Sequence, residues 1–552
     1  MALRESSMKK HELFKAGFFK RSFCYLNKFN VFDLLVFLLC VASFICSWIE
    51  SMVNNDSHHW GVAYIAALDL KRGAIPYSEV FIFYGYICTW IQSVALTLFG
   101  ERLMSVGIIT GLFYAVTMFL SYRIFLRFLK KSLAFLSVFL LFLIHPYIIY
   151  PASNYFAYTF QLLALIFFLK YSENRLNGLL AGFFLSMSVL SRNSSVIAII
   201  PPFMILLGWE YFTFQGTKRR IIEKIGIVSS GFFIPLIIFF AYLYMNSALG
   251  AFFYQTQMII QLRSGMDNVI TYLNFFAFIF LLDTSAYAFD FRGKLFSLIL
   301  IVCVFIILRE MIWKVSGKPG KFENDRDDII AVGLIAIFGF LNSIHIYETV
   351  RLVNGVALGI GIVVLVFYHL YLYAIKPVKY LIVISITLLC LFLSNSLFFK
   401  QTSSAYYPWS EDVLFHNGVT NKTIGLFKGK RLTKEYNDFY QGIYDAVAPF
   451  KNSCYIINYT FDVLAVAIND LPRIQISPQY FAWLDDPSKL AQFIDMQETV
   501  ILSHTRLELP DYKEIFCEQW PEEIPWLRGG YLFIYAPKQY VHVNLIHSES
   551  KI

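Results

Sequence analysis

Apolar runs of bilayer length recur along this chain, and lysines and arginines gather in short clusters between them. The first run, residues 31–49, is followed by others near 103–121, 132–148, 155–170, 178–190 and 194–212, and by further runs near 225–245, 294–313, 329–344, 352–374 and 379–398. About 20 apolar residues are needed to cross the hydrocarbon core as a helix. A helix also leaves no main-chain polar group unsatisfied in lipid. The composition agrees: 57% of residues are hydrophobic and 15% charged, against roughly a quarter charged in soluble domains. The pattern predicts a polytopic α-helical membrane protein of about 11 spans.

The formal net charge of +8 reads as topology and not as a nucleic-acid footprint, because the basic residues sit between apolar runs. Lys9 to Lys28, Arg123 to Lys131, Lys218 to Lys224, Lys314 to Arg326, and Lys376 with Lys379 mark cytoplasmic segments by the positive-inside rule. Residues 1–30 form a basic cytoplasmic N-terminus, and the run after them carries no small-residue cleavage signature. Parity then makes 50–102 one outer loop. Its apolar part, 80–99, is expected to lie at the outer face as a helix. A second outer segment, 246–293, holds an apolar piece near 270–287 whose parity also favours the surface.

After residue 399 the composition turns polar, and no later run is long enough to span. Residues 400–552 are expected to form a small outer α/β domain behind a transmembrane domain of 31–399. Strands are predicted at 454–459, 499–503 and 531–536, and helices at 461–469 and 487–496. Six of the eight cysteines lie in or near apolar segments as packing residues. Cys454 and Cys517 either bridge, if the tail meets an oxidising compartment, or remain two thiols.

Outside the basic clusters the ionisable groups converge on one face. Asp56, His58, His59, Glu79, Arg192, His345, Glu348 and Arg351 all fall at outer span ends or in outer loops. A transporter places such groups near the bilayer midplane, whereas an interfacial active site needs them here. Asp56 reads equally as the cap of a helix starting near His58 and as a general base for an acceptor hydroxyl. A divalent ion, if one is bound, would take Asp56 with His59 or Glu79. Adjacent histidines diverge by about 100° on a helix, so His58 and His59 do not share a metal, and no strong metal-ligand spacing occurs. Glu79 follows a Gly-Pro turn. Arg192 and Arg351, placed against the positive-inside bias, are phosphate or carboxylate partners or snorkel to headgroups. Walker, Ser-His-Asp, CxxC and dinucleotide-glycine motifs are absent from the sequence.

One stretch carries a resemblance. Asp56-x-x-His59-x-Gly61 is followed by Gly73-x-x-Pro76-Tyr77-x-Glu79, then Tyr84-Gly85 and Leu98-Phe99-Gly100. In order and spacing this is similar to the GT-C superfamily of integral-membrane glycosyltransferases. The resemblance implies a sugar donor on polyprenyl phosphate and transfer on the periplasmic or extracellular face, and the aromatic-rich, low-alanine composition fits a bacterial source, hence an inner membrane. It makes Asp56 the favoured catalytic carboxylate, with Glu79 beside it. His58, His59, Tyr77, Tyr84, Arg192, His345 and Arg351 become substrate-binding candidates, the arginines toward the departing phosphate. Displacement in line would invert the anomeric centre. No Trp-Trp-Asp motif occurs in the tail, so transfer of an oligosaccharide to asparagine is not implied. An envelope glycan or lipid is the expected acceptor. The competing readings are a lipid-sugar flippase, which needs a polar path through the bundle, and an envelope polysaccharide polymerase.

Overall fold

The computed structural model describes residues 30–144, 151–213, 218–264, 291–316, 326–343, 355–399, 417–451, 454–460, 462–469, 499–521 and 529–541. His345, Glu348, Arg351, Cys24, the apolar piece near 270–287 and the helix expected over 487–496 lie outside the described residues.

Helices dominate and follow the apolar runs. The first, α1 (Val31–Val53), is followed by α2 (Ser57–Lys71), α3 (Tyr86–Phe99), α4 (Leu103–Phe125), α5 (Lys131–Ile144), α6 (Ser153–Leu169), α7 (Arg175–Ser191) and α8 (Val196–Thr213). The bundle continues through α9 (Arg219–Met245), α10 (Leu249–Ser264), α11 (Phe291–Val315), α12 (Arg326–Gly339), α13 (Ile360–Tyr373) and α14 (Lys376–Phe399). Among the described residues seven helices are long and apolar enough to cross a membrane, and α3, α5, α6 and α7 are shorter apolar helices. This is a multi-pass architecture. The expected count of about 11 spans exceeds those seven because helices such as α5 and α12, with 14 residues each, fall short of the usual ~20. The helix anticipated over 80–99 begins only at Tyr86.

The basic clusters act as ties at one end of the bundle. Lys131 pairs with Asp33 (2.7 Å), Arg127 with Asp328 (2.9 Å) and Lys224 with Glu210 (2.7 Å). Asp33 lies in the first turn of α1, so this end is roughly 30 Å of helix from Asn54 at the other. Close approach of α7 to α9 rests on two glycines. A Cβ on Gly182 would meet the Val228 carbonyl oxygen at 2.0 Å, and one on Gly231 the Leu179 oxygen at 2.1 Å. Small residues let helix backbones meet where lipid provides no hydrophobic drive.

Beyond the bundle lie α15 (Lys434–Val447), β1 (Tyr455–Tyr459), the short α16 (Leu464–Ala467), β2 (Thr499–Ser503), β3 (Tyr512–Gln519) and β4 (Tyr531–Pro537). They form a four-stranded sheet of order β1-β2-β4-β3, parallel between β1 and β2 and otherwise antiparallel. Three of these strands lie where the apolar runs predict them. The fourth, β3, reads YKEIFCEQ and occupies an edge with half its side chains exposed. No disulfide joins Cys454, which is buried, to Cys517, which is exposed.

Candidate active site

The corner between α1 and α2 collects the polar chemistry. After Val53 the chain is extended at Asn54, and Asp56 caps α2. Its Oδ1 accepts the His58 N–H (3.0 Å) and the His59 N–H (3.2 Å). Its Oδ2 accepts from His59 Nδ1. Capping and the imidazole contact therefore use different oxygens of one carboxylate. Helix N–H groups stabilise the charged form. Because a carboxylate only accepts, the neutral imidazole carries its proton on Nδ1 and keeps a lone pair on Nε2. The Asp56 side chain is 1% exposed and that of His59 17%. His59, and not Asp56, meets what arrives from outside.

A strip of partly exposed rings leads away from this pair. The His58 ring stands edge-on to His59 (centroids 5.0 Å) and to Phe83 (6.5 Å), and Phe83 contacts Tyr84 (4.5 Å). The Arg192 guanidinium lies 5.9 Å over the Tyr84 ring. Arg192 is buried, and its Nη1 donates to Ser153 Oγ (3.2 Å). The Asn193 N–H donates to the Tyr84 carbonyl (3.2 Å), tying the end of α7 to the strip. Asp56 and Arg192 thus stand at opposite ends of a surface made by His58, His59, Phe83 and Tyr84.

Glu79 and Tyr77 serve the loop beside this surface. Glu79 Oε2 accepts the Ile75 N–H (2.7 Å) and closes the Gly-Pro turn. Tyr77 takes a left-handed φ of 65° and packs its buried ring against Phe252 and Phe239. Burial pushes its phenol above the usual tyrosine range. Gln255 of α10 donates to the Tyr77 carbonyl (2.6 Å) and accepts the Ile82 N–H (3.3 Å), reading the loop on both sides. Tyr77 is accordingly a packing residue here and not a surface one. Among the described residues no group of three or more His, Cys, Asp and Glu side chains could hold a metal ion. Asp56, His59 and Glu79 do not come together as a ligand set.

Residues far along the chain complete the corner. The Arg431 N–H donates to Met52 O (2.9 Å), Lys430 Nζ to Asn54 O, and Tyr436 OH to Asn55 O (2.9 Å). Nothing in the local pattern around FKGKRL marks these contacts, since they join segments 376 and 381 residues apart. Helix α16 lies on α2 where Gly61 has no side chain.

The family profile of the dolichyl-phosphate-mannose-protein mannosyltransferases matches residues 85–245, from the start of α3 to the end of α9. Two solved structures superpose over most of the chain. One is the oligosaccharyltransferase AglB from Archaeoglobus fulgidus, in complex with an inhibitory peptide and a dolichol-phosphate. It has a TM-score of 0.51 and 11% identity over 86% of this chain and 70% of that one. The other is ArnT from Cupriavidus metallidurans bound to undecaprenyl phosphate, with a TM-score of 0.50 and 11% identity over 91% and 98%. The chain has the GT-C fold. No curated protein matches at the sequence level. At 11% identity the likeness is one of architecture.

Proposed function

We propose that this GT-C chain transfers a sugar, a hexose or a pentose, from a polyprenyl-phosphate donor to a glycan or lipid of the bacterial envelope. Transfer would take place on the outer face of the inner membrane, with residues 400–552 on that same side. The observation that carries the reading is the Asp56–His59 pair, a buried carboxylate behind a partly exposed imidazole at the end of α1. The lipid phosphates named for the AglB and ArnT structures support the donor class.

The acceptor hydroxyl loses its proton to Nε2 of His59, while Asp56 holds Nδ1–H and stabilises the imidazolium that forms. The hydroxyl oxygen bonds to the anomeric carbon. The bond from that carbon to the phosphate oxygen breaks, its electron pair leaving with polyprenyl phosphate, and the centre inverts. Growing charge on the phosphate is met by Arg192, whose low-dielectric surroundings strengthen its pull.

The test is the mass of envelope glycans from cells with and without the protein. A hexose- or pentose-sized difference that disappears with Asp56→Asn is expected. Unchanged glycan masses together with movement of lipid-linked sugar across the membrane would place the chain among flippases instead.

A further inference from the structure

We propose that Lys430 is a positioning residue for Asp56, so that the chain beyond the membrane helices forms part of the catalytic apparatus. The proposal rests on the reading of Asp56 and His59 as the reacting pair.

The last carbonyls of a helix lack partners within it, and they carry the negative end of its dipole, which favours a cation. At the end of α1 the partners come from residues 430–436. The Met52, Asn54 and Asn55 carbonyls receive the Arg431 N–H, the Lys430 ammonium and the Tyr436 hydroxyl in turn. These are the peptides that hand Asp56 into its place at the start of α2.

Lys430 touches both sides of the corner. Its Nζ donates to Asn54 O and sits 3.9 Å over the Trp60 ring. Trp60 Nε1 in turn donates to Asn54 Oδ1 (2.8 Å), which also takes the Asp56 N–H (3.2 Å). One ammonium thus clamps the end of α1 against the first turn of α2, with Asp56 between. A turn through Gly429, at φ +91° and with the Lys430 N–H on Phe427 O (2.9 Å), aims the side chain inward. Residues with a Cβ rarely adopt that backbone.

The lysine is 1% exposed, so it cannot itself meet a lipid phosphate. Burial holds its ammonium well below the usual lysine range, and the charge of Asp56 works against that. A buried cation is tolerated only with compensation. Here the carbonyl, the indole face and the Asp56 charge provide it, which ties the lysine to this corner.

The experiment compares the full-length wild type, Lys430→Met and Lys430→Arg in nanodiscs of phosphatidylethanolamine and phosphatidylglycerol, by hydrogen exchange, and in cells by glycan mass. Methionine keeps much of the stem but loses charge and donor. In Lys430→Met, exchange at residues 54–60 is expected to rise about ten- to a hundredfold, as loss of a charged hydrogen bond implies. Protection in β1, β2 and β4 is expected to hold. The glycan mass difference should vanish in Lys430→Met and return in part in Lys430→Arg. Unchanged exchange at 54–60, full transfer by Lys430→Met, or faster exchange throughout the chain would each overturn the proposal. A wild type that shows no glycan difference while residues 54–60 respond as expected would instead count against sugar transfer.

Discussion

Asp56 and His59, one helical turn apart at the start of α2, share a hydrogen bond that buries the acid and leaves the imidazole edge at the surface. On the proposed mechanism a proton arriving from an acceptor reaches the ring first, and the carboxylate acts through it. Asp56→Asn and His59→Gln should each lower the transfer rate by about 10²–10⁴. The double variant should fall little further, because residues acting as a unit are not additive. Asparagine caps helices as well as aspartate does, so Asp56→Asn should leave the melting midpoint near that of the wild type. Additive losses in the rate of product formation would mean that the two side chains act independently.

The seat of α16 on α2 makes a second, purely steric prediction. A Cβ at Gly61 would come within 2.7 Å of Leu464 N and of the Val463 carbonyl carbon, which are backbone atoms that cannot rotate away. Gly61→Ala should therefore cost about 1–3 kcal/mol and loosen residues 462–469, read as faster proteolysis there. Gly208→Ala is the control, since nothing lies within 4 Å of its Cβ position. It sits inside α8, where alanine is favoured by about 0.5–1 kcal/mol. Equal effects at the two sites would show that the α2–α16 contact does not matter.

The bundle was legible because an apolar run of bilayer length leaves the backbone almost no alternative to a helix. The cap at Asp56 was legible, since Asn-Asn-Asp-Ser before a helix is a capping sequence. The length of each helix was not. Hydropathy shows that α5, α6 and α7 are apolar but not that each stops at 14 to 17 residues. Strand β3 escaped because it sets only Ile515, Phe516 and Cys517 between Lys513, Glu514 and Glu518, leaving no long apolar run to notice. The contacts of Lys430, Arg431 and Tyr436 are invisible to any local pattern, because charge and aromaticity there say nothing about a carbonyl hundreds of residues away.

Arg192 provides a third prediction. It is buried, with one nitrogen on Ser153 Oγ and its plane over Tyr84, so it is held in place before any ligand arrives. Loss of a charged hydrogen-bond donor to phosphate costs about 1.5–3 kcal/mol. Arg192→Gln should thus weaken binding of undecaprenyl phosphate about ten- to a hundredfold. Arg192→Lys should weaken it less, since it keeps the charge and loses the planar fork. Ligand-dependent shifts in melting midpoint measure this through linkage. An undiminished shift in Arg192→Gln would remove Arg192 from the donor site, whereas Asp56→Asn should leave the shift intact.

The last prediction concerns pH and the domain that carries Lys430. Asp462 is fully buried; its Oδ2 accepts from Tyr440 OH (2.7 Å) and Trp520 Nε1 (3.2 Å), and its Oδ1 from the Ala465 N–H (3.0 Å). Burial pushes its carboxyl up to about 6 from 3.8, although these donors pull the other way. A folded-state value above the unfolded one means that the native state binds more protons between the two. Stability from this group is fully present below about pH 4, declines as pH rises through the interval, and is absent above about pH 6, a change on the order of 3 kcal/mol. Asparagine resembles the protonated acid and does not titrate. The melting midpoint of the wild type should therefore fall relative to that of Asp462→Asn as pH is raised from about 4 to about 6, and the gap should then stay constant. Because Ala465 belongs to α16, which packs on Gly61 beside the Asp56 corner, hydrogen exchange in residues 462–469 should follow the same pH course in the wild type and be flat in the variant. Parallel pH courses for the two proteins would show that Asp462 ionises in the folded protein as it does in the unfolded chain.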